Sequence, residues 1–193
     1  SCSAAWPMPS IGALSAAQLR HVEALFEDSV FPGVTPVAVP PDREFPLLAG
    51  LGLALYVRLE GAPEDPAPRH AIVAMPKSLP RFLTLPGETG FAYVLLEEVV
   101  RAYAGRLFPG VNVLECAAFR ITRNADMGVR EDLAGDLLSQ MREVLVERKE
   151  SDCVRLELEK RASKEAQAFL RAALDVDDAD VYAVPGPLDL AAF

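Results

Sequence analysis

The segment Leu51–Leu59 constrains the fold of this chain most, because an apolar side chain recurs there at every second position. A period of two residues is that of a β-strand, so the segment predicts a strand with one buried face. The apolar residues that share this face are Leu51, Leu53, Leu55, Val57 and Leu59. The polar, proline-rich run Gly61–Arg69 follows and predicts a hairpin connection, after which His70–Met75 predicts the returning strand. The chain is therefore expected to contain antiparallel sheet.

Further short apolar runs predict additional strands. In Val34–Val39, the internal Pro36 removes a backbone donor and predicts an edge strand. Val154–Leu158 alternates apolar with charged residues, which predicts a strand with one face in water. The other predicted strands are Arg81–Leu85, Asn112–Thr122 and Val181–Val184.

Four helices are predicted from apolar spacing and from capping residues. Ser15 and Gln18 form a capping box before a helix that runs to about Ser29. Ser163 is the predicted N-cap of the last helix, which ends near Leu174. The two helices between them are Leu95–Leu107 and Val129–Arg148, the second being the longest. Strands and helices do not alternate strictly, which predicts an α+β fold with a mixed, mainly antiparallel sheet packed with about four helices.

Composition places the chain among ordinary globular domains. Of its 193 residues, 51% are hydrophobic and 24% charged, which suits one domain with a sizeable core. The net charge of −9 argues against broad binding to nucleic acid, which needs many basic contacts to phosphate. No apolar stretch is long enough to span a membrane, and Ser1–Ser10 lacks the pattern of a signal peptide. A cytoplasmic location is therefore expected.

A search for catalytic and metal-binding patterns predicts no catalytic residue and no metal ligand. His21 and His70 have no second ligand at metal-binding spacing, and no H-E-x-x-H or G-x-S-x-G pattern occurs. The three cysteines lack C-x-x-C spacing, which excludes a disulfide framework or a zinc site of the usual pattern. The acidic run Asp175–Asp180 does not match a calcium-binding loop and predicts a solvated turn.

The tract from Phe119 to Asp126 is the strongest candidate for ligand binding. Arg120 and Arg123 stand at the end of an apolar strand, and Asn124 follows them. Arginines in this position can make forked contacts to phosphate oxygens or to carboxylates. They can equally pair with carboxylates nearby and clamp the strand to the next helix. The candidates for that pairing are Asp126, Glu131 and Asp132.

This tract is one of six segments whose order along the chain matches that of a known family. The segments are Phe31–Val39, Phe45–Leu55, Pro76–Phe82, Phe119–Asp126, Val154–Glu157 and Tyr182–Leu190. They resemble the middle ("head") domain of the bacterial polyphosphate kinase family, and the resemblance covers the chain from about residue 15 to its end.

The resemblance implies a parent enzyme that transfers the terminal phosphate of ATP reversibly to polyphosphate, with magnesium. It implies that residues 15–185 form the middle domain, and residues 1–14, which do not begin with Met, are expected to be a flexible start or a cloning remnant. Residues 186–193 would begin a linker to a catalytic half that carries the chemistry. The domain itself would need no cofactor, would contribute homodimer contacts and a wall of the active-site tunnel, and would be inactive alone. The residues expected to contact substrate are Arg81, Arg120, Arg123 and Asn124.

Two other functions remain open from the residues alone. One is a free-standing module that binds phosphate or polyphosphate on a basic face composed of Arg69, Lys77, Arg81, Arg120 and Arg123. The other is a homomeric scaffold without a ligand, in which a strand such as Val154–Leu158 pairs across subunits.

Overall fold

The computed structural model describes residues 11–40, 44–87, 92–124 and 152–189. Their strands are β1 (Pro36–Ala38), β2 (Leu53–Leu59), β3 (Arg69–Ala74), β4 (Phe82–Leu85), β5 (Ala92–Leu95), β6 (Val113–Arg123), β7 (Cys153–Glu159) and β8 (Val181–Val184). Six of these strands form one sheet in the order β1-β3-β2-β6-β7-β8, and β4 pairs with β5 in a separate two-stranded sheet. Neighbouring strands are antiparallel except for β7 and β8, which are parallel. The predicted α+β fold with a mixed, mainly antiparallel sheet is therefore confirmed.

The first helix begins as its sequence predicts. Ser15 accepts a hydrogen bond from the backbone of Gln18, and the Gln18 side chain accepts one from the Ser15 backbone, which completes the capping box. α1 (Ala16–Leu25) then continues through a π-helical turn, Phe26–Val30, into α2 (Phe31–Gly33). The helical path thus reaches Gly33, a few residues beyond the predicted end.

The middle and last helices follow the prediction in part. The expected helix Leu95–Leu107 is divided into α3 (Leu96–Ala102) and α4 (Ala104–Leu107), because Tyr103 leaves the helical backbone conformation. α5 (Lys164–Leu174) has the predicted N-cap, Ser163. Its cap is reinforced by Glu115 of β6, which accepts hydrogen bonds from the Ser163 backbone and hydroxyl at 2.8 and 2.6 Å. The predicted helix Val129–Arg148 lies outside the described residues.

Strand β2 is buried on both faces, which corrects the expectation of a half-buried strand. Leu55 and Val57 pack into a core with Val22 and Phe26 from the first helical segment. Tyr56, on the opposite face, packs into a second core that includes Leu170 of α5. Alternation predicted the first face correctly, but a helix distant in sequence covers the second.

Two neighbouring strands, β6 and β8, occupy both edges of β7. The hypothesis that Val154–Leu158 pairs across subunits is therefore wrong for its second half, because β6 pairs with this strand on one side and β8 pairs with Leu156–Leu158 on the other. The predicted edge position of the strand that contains Pro36 is confirmed, since β1 lies at one end of the sheet. Among the described residues, no helix combines the length and apolar character needed to cross a membrane.

Candidate functional site

Two arginines that the sequence singles out, Arg81 and Arg120, converge on Asp189 near the end of the described chain. Nη1 of Arg120 lies 3.4 Å from Oδ1 of Asp189, and Nη1 of Arg81 lies 3.9 Å from Oδ2. Arg81 also donates hydrogen bonds to the backbone carbonyls of Asp189 and Leu188 at 2.8 and 2.5 Å. One carboxylate and two carbonyls of the same short segment therefore occupy this pair of guanidinium groups.

Arg81 is fixed by the small sheet and by the start of α3. It immediately precedes β4, and its carbonyl accepts a hydrogen bond from the backbone of Leu96 at 2.8 Å. This places its guanidinium beside Glu97, whose side chain is only 4% exposed. The shortest contact between them, from Nη2 to Oε1, is 2.7 Å. A buried carboxylate needs such a partner, because desolvating an unpaired charge is costly.

Arg120 is positioned by the large sheet, where it lies opposite Leu53 of β2 and Glu157 of β7. Its Nε donates to the carbonyl of Leu51 at 3.2 Å, and Nη1 lies 3.6 Å from a carboxylate oxygen of Glu157. Leu51 and Asp189 both have left-handed backbone conformations, with φ of 59° and 55°. Such conformations are uncommon outside glycine and persist where surrounding contacts hold them, as Arg120 and Arg81 do here.

Arg123 and Asn124 lie further along the same strand end. Arg123 Nε donates to the carbonyl of Leu48 at 3.4 Å, and the Asn124 backbone donates to the carbonyl of Asp152 at 3.0 Å. These contacts tie the strand end to Leu48 and to Asp152. The proposed pairing of the tract with Asp126, Glu131 and Asp132 lies outside the described residues.

The wider basic face considered from the sequence is not assembled as a single surface. Arg69 lies opposite Leu59 in β2, whereas Arg120 lies opposite Leu53, so the two arginines are at opposite ends of the sheet. Arg69 donates to the carbonyl of Glu60 at its own end. Lys77, in contrast, lines a cavity of about 460 Å³ together with Arg81.

The segment Pro185–Asp189 passes between two cavities. Residues 185–188 line one of about 500 Å³, and Asp189 lines the other, of about 460 Å³. Glu97 borders both. The side chain of Leu188 is buried in the core, next to the residue that Arg81 and Arg120 contact.

A second network of charges, which sequence reasoning missed, surrounds the buried carboxylate of Glu159. It accepts hydrogen bonds from Arg101, from Arg161 and from the backbone of Ala118, all between 2.7 and 2.9 Å. Burial raises the pKa of Glu159, while Arg101 and the Ala118 amide act in the opposite direction. The alternation of apolar and charged residues in β7 predicts that Glu159 faces solvent. No feature of the neighbouring sequence indicates that it is buried in this network.

The histidine in the sheet has a structural environment. Nδ1 of His70 lies 2.9 Å from the hydroxyl oxygen of Tyr56, and its ring stacks on Phe169 with 3.9 Å between centroids. Burial and the nearby Arg58 lower the pKa of His70, which favours its neutral form. In the described ranges, no three His, Cys, Asp or Glu side chains gather in a way that could hold a metal ion.

The Arg81–Arg120 pair is chemically suited to contacts with oxyanions, and the oxyanions that it contacts here belong to the chain itself. Guanidinium groups present several donors in a fixed plane and remain charged at all ordinary pH values, so they bind and neutralise carboxylates or phosphates. They do not exchange protons near neutral pH, which makes this pair unsuited to acid–base catalysis.

Comparisons with known proteins agree on the family. A family model described as "Polyphosphate kinase middle domain" matches residues 17–193. The polyphosphate kinase of Exiguobacterium sibiricum is 41% identical over 181 residues, which cover 92% of this chain and 25% of that protein. That of Staphylococcus epidermidis is 40% identical over 178 residues, covering 92% and 24%.

A solved structure supports the fold. The crystal structure of polyphosphate kinase from Porphyromonas gingivalis matches with a TM-score of 0.72 and 21% identity, over 92% of this chain and 25% of that one. The chain thus spans about a quarter of the length of the relatives that it matches. The match to the family model over nearly all of the chain shows that it belongs to the polyphosphate kinase family and corresponds to the middle domain.

Proposed function

We propose that this chain is an architectural domain of a phosphotransferase that moves the terminal phosphate of ATP reversibly onto polyphosphate. In this role it supplies a rigid wall to the active-site tunnel and contacts between subunits, and it makes no polyphosphate alone. The main support is that Arg81 and Arg120 bind carboxylate and carbonyl groups of the chain itself. Such contacts hold the fold together and leave the chemistry to other parts of a complete enzyme.

The described residues bring together no group of three His, Cys, Asp or Glu side chains that could hold the magnesium that the family implies. Their most buried carboxylates, Glu97 and Glu159, are paired with Arg81 and Arg101. Hard cations such as magnesium prefer unpaired oxygen ligands and retained water. No magnesium site is therefore assigned to this part of the chain, and no step of the reaction is derived through the ion.

A synthesis assay tests the architectural role. The purified chain is incubated with ATP and magnesium, and the products are separated by gel electrophoresis beside those of the complete Exiguobacterium sibiricum enzyme. We expect a product ladder from the complete enzyme and none from this chain. A robust magnesium-dependent ladder from contaminant-free protein would contradict the proposal.

The contribution to subunit contacts has its own test. Light scattering over a range of protein concentrations should show a mass that rises toward that of a dimer. A strictly monomeric chain at all concentrations counts against the proposed contacts without affecting the assay above.

A second candidate function is the binding of phosphate chains. It is favoured by one observation, the convergence of Arg81 and Arg120 on a single anionic group. Titration with long-chain polyphosphate should reveal binding that weakens in an Arg120→Ala, Arg123→Ala double variant. Equal affinity in the two proteins would refute this site.

A further inference from the structure

The segment Pro185–Asp189, called the strap below, is held over the protein at one end by the two arginines. Leu188 buries its side chain, so the strap is anchored by apolar packing as well as by charge. The hydrogen bonds from Arg81 reach backbone carbonyls, which are independent of side-chain identity. The carboxylate of Asp189 is therefore the only side-chain anion that the strap itself contributes to the arginine pair.

The contacts of the Asp189 carboxylate are long for charged partners. They measure 3.4 Å to Arg120 and 3.9 Å to Arg81, whereas direct charge-assisted hydrogen bonds are typically about 2.7–2.9 Å. Asp189 also holds a left-handed backbone conformation, which carries strain for a residue other than glycine. A loosely bound anion on a strained residue can be displaced by a ligand that fits the arginines better.

We infer that the Asp189 carboxylate is an internal competitor for an oligophosphate anion at Arg81 and Arg120, and that the strap loosens when the anion binds. This inference rests on the second function proposed above, the binding of phosphate chains. It adds a regulatory element, because the site is closed by the chain's own anion until a multivalent ligand replaces it.

The tethered position of Asp189 determines which ligands can compete. A group attached by a short segment acts at an effective concentration in the millimolar range, which a weakly bound single phosphate does not overcome. A ligand with several phosphates can contact Arg81 and Lys77 together, because both residues border the cavity that Asp189 also lines. Displacement of Asp189 removes one negative charge from that cavity and favours the incoming anion.

Calorimetric titration with tripolyphosphate, and separately with orthophosphate, tests the inference on the 193-residue chain. In Asp189→Asn the competitor loses its charge with little change in shape, and asparagine tolerates the left-handed conformation. We expect tripolyphosphate to bind this variant at least about fivefold more tightly than wild type, the lower end of typical coupling between sites. Orthophosphate should bind both proteins far more weakly.

Asp175→Asn is the matched control. Asp175 is also an aspartate in a left-handed conformation, but it caps the end of α5 instead of contacting the arginine pair. The Asp175→Asn variant should bind tripolyphosphate with the same affinity as wild type. Adding Arg120→Gln to Asp189→Asn should remove the gain.

Hydrogen–deuterium exchange of residues 186–189 in the wild-type chain gives a readout that needs no variant. Saturating tripolyphosphate should speed exchange in the strap. One combination of results disproves the competitor but keeps the binding function. In it, wild type and Asp189→Asn bind tripolyphosphate equally, Arg120→Gln weakens binding in both, and hydrogen exchange in the strap is unchanged. If neither protein binds tripolyphosphate, both proposals fail.

Discussion

Arg101 of α3 donates two hydrogen bonds from Nη2 to the carboxylate of Glu159 at the end of β7, at 2.8 and 2.9 Å. The side chains are only 16% and 9% exposed. The pair joins the helix that covers one face of the sheet to a strand in the sheet's interior. Its burial makes each charge dependent on the other, since an unpaired buried charge is strongly destabilising.

Removal of one partner of this pair should destabilise the domain severely. We expect Arg101→Met to lower the free energy of unfolding by about 3 kcal/mol, because Glu159 loses its principal partner. Urea denaturation followed by circular dichroism measures the change. Arg106→Met is the control: Arg106 pairs with Glu23 on the surface, where an ion pair contributes only about 0–1 kcal/mol. Equal losses in the two variants would contradict the assigned role of the buried pair.

Stability should decrease in mild acid because of His70. Burial, followed by the charge of Arg58, lowers the pKa of its imidazole below the ordinary value of 6.5. As the pH falls, His70 therefore binds a proton in the unfolded chain before it does so in the folded chain. The stability that neutral His70 contributes is complete above about pH 6.5 and is lost as the pH falls from the unfolded pKa to the folded pKa. His70→Gln should flatten the profile of unfolding free energy over this window, measured by urea denaturation at a series of pH values. His21→Gln, at an exposed position, is the control and should keep the wild-type dependence on pH. If the profile of His70→Gln also matches that of wild type, groups other than His70 cause the loss of stability in acid.

Cys116 should resist alkylation in the folded protein. Burial raises the pKa of its thiol to about 12, so the reactive thiolate is scarce near neutral pH. Peptide mass spectrometry after a short iodoacetamide treatment at pH 8 should find Cys116 unmodified in native protein. The same treatment in urea is the control and should label it fully. Rapid labelling of Cys116 without denaturant would show that this part of β6 opens readily.

The second core, which α5 forms with the sheet, should contribute strongly to stability. Leu170 of α5 is fully buried against the sheet, and Leu170→Ala should cost about 2–5 kcal/mol through lost burial and a residual cavity. Leu114, half exposed on β6, is the matched control, and its replacement by alanine should change stability by less than about 0.5 kcal/mol. Thermal unfolding ranks the two variants, and a small effect at Leu170 would mean that α5 packs loosely.

Local signals in the sequence predicted those parts of the fold that depend on near neighbours. Ser15 and Ser163 cap helices through the backbone of residues three positions further on, so a short stretch of sequence is enough to predict their role. The edge strand with Pro36 and the hairpin of β2 and β3 were predicted for the same reason. Strand β5 was missed, because its four residues run directly into α3 without a turn to separate them.

Contacts between distant segments were beyond the reach of periodicity. Arg81 and Asp189 are 108 residues apart, and nothing near either one indicates the other. The sequence identified Arg81 and Arg120 as anion ligands, but the anion they contact comes from the chain itself. Strand β2 was likewise expected to be buried on one face only, because the packing of α5 against the face that carries Tyr56 involves residues distant in sequence.

The two outer strands of the sheet restrict how molecules of this protein can associate. β1 spans three residues and begins with Pro36, which has no amide hydrogen to donate, and β8 spans four residues before Pro185. Short, proline-bordered margins give a neighbouring backbone too few partners for templated growth into fibrils. Among the described residues, the two edges of the six-stranded sheet therefore offer little backbone to a second copy, and two copies are expected to meet there through side-chain surfaces.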